Sequence, residues 1–283
     1  MPSDSLYSGK ADTLEETPWI TARREAWEEI GLPMDDSKLP SQFKVEQLCE
    51  LPMNLAKTEL GVRPCVAFLS TKPPRYDTRS ASKGSSEQTE GSSSVENAKE
   101  LLADNILIPR LDAKEVAAVF SAPFHSFLRT SLPDSTGQED ISGTKTIDFP
   151  QPSRPWYAGS WMTWYSTDWR MHNFHVPLSY RLVTKPRSKK PELLPALPYG
   201  DHKFATSDPL EGLDSFKVWG MTARIMVDAA RVAFGEDPEF EHNSHFGDEE
   251  VVGKLLRMGR LGPIRKSDDV ITRADMIAAA KLA

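Results

Sequence analysis

The chain has 283 residues, 39% hydrophobic and 27% charged, with a net charge of −7 and a pI near 5.5. That length buries a sizeable core, as one large domain or two small ones. The acidic balance argues against nucleic-acid binding, which requires concentrated basic surface, and no apolar run reaches the ~18 residues of a membrane span.

The opening "MPSDSLYSGK" lacks the apolar region of a secretory signal. Residues 17–30 contain no glycine and no proline beyond Pro18, and are rich in Ala, Glu and Arg. They read as a helix, with Pro18 in the first turn and Gly31 as its stop. "FKVEQLCEL" (43–51) and "VRPCVAFLS" (62–70) read as strands joined by the polar connection "PMNLAKTELG". Cys49 and Cys65 lie in these apolar segments without metal-like spacing, which predicts buried free thiols.

Residues 73–97 hold almost no large apolar side chain and read as a disordered insertion. Residues 130–155 and 185–212 read as further surface insertions in a single domain. Within 115–129, a strand ending at Pro123 precedes a short helix from Phe124; Asp112 and Glu115 fit the spacing of a helix capping box. "WRMHNFHVPL" (169–178) reads as a strand, and 216–235 as one helix with Met221, Ile225, Ala229 and Val232 as its apolar stripe.

The chemistry concentrates in the first helix. At ~100° per residue, Glu25, Glu28 and Glu29 share an arc of about 100°, opposite Ile20, Ala26, Trp27 and Ile30, which are expected to face the core. Carboxylates at these spacings repel by roughly a few tenths of a kcal/mol per pair, and the helix dipole disfavours them near its C-terminal end. The reading is either a solvated acidic face partnered by Arg23 and Arg24, or a set of hard oxygen ligands for Mg²⁺ or Mn²⁺.

The segment over residues 8–33 resembles the Nudix box, G-x5-E-x7-R-E-U-x-E-E-x-G-U, where U is a bulky aliphatic residue. Gly9, Glu15, Arg24, Glu25, Glu28, Glu29, Gly31 and Leu32 fall on it. It departs by eight residues between Glu15 and Arg24 in place of seven, and by Ala26 at a larger aliphatic position. The resemblance implies an α/β/α sandwich with a mixed sheet and a metal-dependent pyrophosphohydrolase. Glu25, Glu28 and Glu29 would bind the ions with the Gly9 carbonyl, and Arg24 would orient the carboxylates through Glu15. Glu115 is the candidate remote base.

"SGKADT", "VRPCVAFL", "RMHNFHV" and "VWGMTARI" are similar in order to the coenzyme A diphosphatase branch of that family. This implies cleavage of coenzyme A or its thioesters to 3′,5′-ADP and a 4′-phosphopantetheine product. Lys57, Arg63 and Arg110 are candidate phosphate ligands, and Trp219, at a helix start, is expected in the core. Only eight residues precede Gly9, so the first strands of the fold are expected to be missing. Another nucleoside diphosphate derivative, such as ADP-ribose or a dinucleotide, and a silent binding module stay open.

His242, His245, Asp248, Glu249 and Glu250 read as a polar surface segment in preference to a zinc site. Trp156, Trp161, Trp164 and Trp169 read as packing. The terminal "AKLA" resembles a peroxisomal address displaced by Ala283, so the expected location is intracellular, in cytoplasm or peroxisome.

Overall fold

The structure, a computed structural model, describes residues 11–40, 43–58, 60–71, 116, 118–132, 154–165, 167–178, 213–261 and 270–282. The insertions expected over 73–97 and 185–212 lie outside these residues, and that over 130–155 lies largely outside them.

Helix α1 (Pro18–Ile30) forms as its termini dictate. The Thr17 hydroxyl accepts from Ile20 N at 3.2 Å, a cap worth about 1 kcal/mol, and Gly31 closes the helix in the left-handed region. The buried face differs from expectation: Ile20 and Trp27 are 43% and 45% exposed, while Thr21, Arg23 and Ala26 are buried. The Arg23 guanidinium turns that face, donating to the carbonyls of Pro33 and Met34 and to Asp36.

Strands β1 (Phe43–Glu50) and β4 (Cys65–Thr71) pair antiparallel, with a bulge between Gln47 and Cys49. The strand expected over 62–70 is interrupted at Pro64, which has no N–H to give a ladder and whose carbonyl accepts from Leu51 N. The two-residue strands β2 (Asn54–Leu55) and β3 (Gly61–Val62) pair across the stretch expected to be loop, β3 also taking in Val62, the first residue of the expected strand. Cys49 is exposed and Cys65 half-buried, correcting the expectation of two buried thiols. Desolvation pushes the Cys65 thiol up to about 11.

A third sheet, in the order β5 (Tyr157–Trp164), β6 (Thr167–Pro177), β7 (Ser215–Trp219), is antiparallel throughout. β5 has no counterpart in the sequence reading. The helix expected from Phe216 begins instead at Gly220, where a φ of +65° breaks the strand into helix α2 (Gly220–Phe234). Phe216 and Val218 alternate as β7 requires, and the Phe216 ring stacks on Phe120 at 4.4 Å. The chain is therefore α/β, and its described strands form three small antiparallel sheets in place of one mixed sheet.

The first core joins this sheet to α2 and a short 3-10 helix (Phe124–Leu128): Phe174, Val176, Val218, Ala223, Val227 and Ala230 close around Phe127, Leu128 and Trp156. The α2 stripe is rotated from the expected one, leaving Val232 exposed. Trp219 is 58% exposed, correcting its assignment to the core; Lys217 Nζ lies 5.2 Å from its ring centroid. Of the strand expected before Phe124, the described residues show a single bridge position at Val119.

The second core packs Leu55 on helices α3 (Glu249–Arg257) and α4 (Arg273–Ala280), through Val251, Leu255, Ile271, Met276 and Ala279. The cores meet at a buried ion pair. Arg224 Nη1 donates to Asp248 Oδ1 at 2.7 Å, their side chains only 3% and 6% exposed. Asp248 Oδ2 accepts from Leu55 N at 2.7 Å, and Arg224 also donates to the Gly247 carbonyl. Removing one member of such a pair strands the other. Arg224→Met is expected to cost about 3–5 kcal/mol in denaturant-induced unfolding, with Asp248→Asn costing less because the Leu55 acceptor survives.

Candidate functional site

The acidic face of α1 is organised by Arg24. Its Nε donates to Glu16 Oε1 at 3.0 Å, and its Nη1 to Glu25 Oε1 and Glu28 Oε2, each at 3.0 Å. Asp12 Oδ2 stands 3.4 Å from Nε. One guanidinium thus faces Asp12, Glu16, Glu25 and Glu28, and the hydrogen bond to Glu16, helped by that to Glu25 and opposed by burial, makes its deprotonation still harder than usual. Glu29 is half-buried on the same helix face.

Glu16, not Glu15, is the partner of Arg24. The chain places seven residues between Glu16 and Arg24, the spacing of the standard box, so the extra residue lies upstream, between Gly9 and Glu16. Its carboxylate also accepts from the Thr21 hydroxyl at 3.1 Å and from Asp12 N at 2.9 Å. Above all the Arg24 contact, then the Asp12 N–H, holds the Glu16 carboxyl down at about 2. The signal that could have found it was the spacing. Arg23, expected beside Arg24, serves the loop after the helix.

The other predicted residues divide. Gly9, Arg110 and Glu115 lie outside the described residues. Lys57 and Arg63 are exposed around the β2–β3 pair, and Arg63 pairs with Glu50 at 3.6 Å. Among the described residues, no three His, Cys, Asp or Glu side chains are grouped to hold a metal ion. The donor chemistry nevertheless suits a hard divalent cation. Arg24 Nη1 takes a single oxygen from each of Glu25 and Glu28, and one positive charge does not balance the carboxylates around it.

Elsewhere the polar groups serve structure. His172 is buried, accepts or donates at 3.1 Å with the Tyr157 hydroxyl, and is pushed down to about 3 by burial, so it is neutral. His175, three residues on in β6, is also buried. Asp248 is committed to Arg224 and Leu55. A cavity of about 250 Å³ between β6, α3 and α4, lined by Tyr165, Asp168, His245 and Lys254 among others, includes none of the predicted site residues.

No protein-family profile matches the chain. Among curated proteins, it is 27% identical over 261 residues to peroxisomal coenzyme A diphosphatase 1 of Saccharomyces cerevisiae, a match covering 90% of this chain. The chain spans 66% of the length of that relative. No described helix is long and apolar enough to cross a membrane.

The depressed Glu16 carboxyl fixes a pH dependence. Its folded value lies below the ordinary 4.5, so its stabilising contribution is complete above that value and is lost as pH falls through about 2. Carbon-detected NMR is expected to place the Glu16 midpoint near 2 in the native chain. Arg24→Gln is expected to move it back toward 4.5.

Proposed function

We propose that the chain hydrolyses the pyrophosphate bond of coenzyme A or its thioesters, giving 3′,5′-ADP and a 4′-phosphopantetheine derivative. Mg²⁺ or Mn²⁺ would be held by Glu25, Glu28 and Glu29, with the Gly9 carbonyl. The observation that carries this is the Arg24 cluster, in which one guanidinium gathers Glu16, Glu25 and Glu28. Likeness over 90% of the chain to a protein named as a coenzyme A diphosphatase supports the substrate class.

Each residue then has a physical task. Glu16, itself fixed by Thr21 and Asp12 N, locks the Arg24 side chain through two of its nitrogens. Arg24 holds Glu25 and Glu28 by one oxygen each, which sets the direction of the remaining carboxylate oxygens. A divalent ion bound there supplies Lewis-acid polarisation of the phosphoryl oxygens. Lys57, Arg63 and Arg110 are assigned to the substrate's phosphates, whose charge requires basic partners. Glu115 is assigned to the attacking water as base.

The test is hydrolysis by the purified chain with Mg²⁺ or Mn²⁺, offered coenzyme A and ADP-ribose separately. Release of 3′,5′-ADP from coenzyme A, dependent on the ion, is expected. Glu28→Ala and Glu29→Ala should lose turnover, and Arg24→Lys should reduce it about 10–100-fold, as loss of a ligand-orienting partner does. A folded chain that turns over neither substrate defeats the enzyme reading; turnover of ADP-ribose alone replaces the substrate; turnover indifferent to Glu28 and Glu29 defeats the site.

A further inference from the structure

β5 is the outer strand of its sheet: all eight residues pair with β6, and no described strand pairs with the other side. Residues 158–163 are exposed throughout, with Trp161 at 46% and Met162 at 39%. A free edge is a row of unpaired N–H and C=O groups, and proteins usually guard it with lysine, proline or a bulge. β5, "YAGSWMTW", has no charge and no proline, and its ladder runs in unbroken register. The other outer strands are protected, β2 and β3 by being only two residues long. β7 carries Lys217 and β1 carries Lys44, Glu46 and Glu50. β4, also uncharged, is largely half-buried and in contact with α1.

We propose that β5 pairs antiparallel with β5 of a second copy across a two-fold axis. Such an axis stands perpendicular to the sheet and keeps each residue on its own face, so a residue can oppose only one of the same parity. With the axis at Ser160, that residue meets its own copy, Gly159 meets Trp161, Ala158 meets Met162, and Tyr157 meets Thr163. Each large exposed side chain then stands across from the smallest residues of the strand. The hydroxyl end of Tyr157 and the Arg170 guanidinium already lie over Gly159, so the partner's Trp161 lands beside a guanidinium of the kind its own ring already meets. A strand set against its own reverse brings every charge near a like charge; this one carries none. The pair closes on itself and leaves no further β5 edge.

Sedimentation of the full chain from low to high micromolar concentration tests this. The mass should rise from 31.6 kDa to twice that value. Ser160→Lys puts a lysine directly against its copy, and should weaken the dimer at least tenfold while leaving the far-UV circular dichroism and thermal transition unchanged. In a Cys49→Ser, Cys65→Ser background, Ser160→Cys should cross-link between chains on mild oxidation, because directly opposed antiparallel residues have disulfide-compatible Cα spacing. Met162→Cys, facing Ala158, should not. A monomer at every concentration, assemblies larger than two, a dimer indifferent to Ser160→Lys, or equal cross-linking at both positions overturns the proposal.

Discussion

Asp248 is where distant parts of the described chain are tied together. A buried carboxylate is tolerable only when its oxygens are satisfied, and here one takes the Arg224 guanidinium while the other takes the N–H of Leu55, 193 residues away. Asp248 N completes the tie by donating to the Met53 carbonyl at 2.8 Å. The approach is so close that Gly247, at a φ of +54°, admits no side chain: a Cβ would stand 2.6 Å from the Met53 carbonyl oxygen. Residues 51–55 are thereby fixed to the start of α3. Because β1 ends just before them, pairs with β4, and β4 touches α1, the candidate site is seated on the same framework.

The arginines divide this work by direction. Arg23 and Arg24 are adjacent, about 100° apart around the helix, and so cannot serve the same partners. Arg23, buried, directs its Nη2 to the loop carbonyls after α1 and to Asp36; Arg24 spends its donors on carboxylates. Arg224 and Arg231, seven residues apart and so on one face of α2, instead serve a single loop. Arg231 binds the carbonyls of Asn243 and Ser244 and stacks over Phe246. Asp228, whose carboxyl burial pushes upward, accepts from Gly247 N. The loop before α3 is thus shaped by two guanidiniums and one carboxylate from a single helix.

What the sequence disclosed follows from which interactions are local. The α1 termini were legible because Thr17, Pro18 and Gly31 act within one turn of themselves. β1, β6 and the short helix at Phe124 were legible from alternation and a proline boundary. β5 was not, because its glycine, serine and threonine carry no amphipathic pattern and its register comes entirely from β6. The β7–α2 junction was hidden because "FKVWGMTARI" is apolar at both strand and helix spacing, and only the backbone of Gly220 separates the two. The inward turn of α1 was misjudged because burial of Arg23 depends on carbonyls in a loop, not on hydrophobicity. α3 and α4 escaped notice because their polar flanks read as surface.

The reassignment from Glu15 to Glu16 shows how much one residue of spacing decides. Glu16 sits immediately before the Thr17 cap, where the backbone is still extended and reverses against Asp12. From there its carboxylate meets the Thr21 hydroxyl and Arg24, whereas Glu15, one residue earlier in the bend over 12–15, is exposed. Four hydrogen-bond donations, two of them from the guanidinium, converge on Glu16, which is why it stays ionised well into acid. That commitment has a consequence for its neighbours. Arg24 meets Glu16 through Nε and Nη2 and has only Nη1 for both Glu25 and Glu28. The helix therefore holds these two carboxylates through one shared nitrogen, each by a single oxygen, while the rest of the guanidinium is turned toward Glu16.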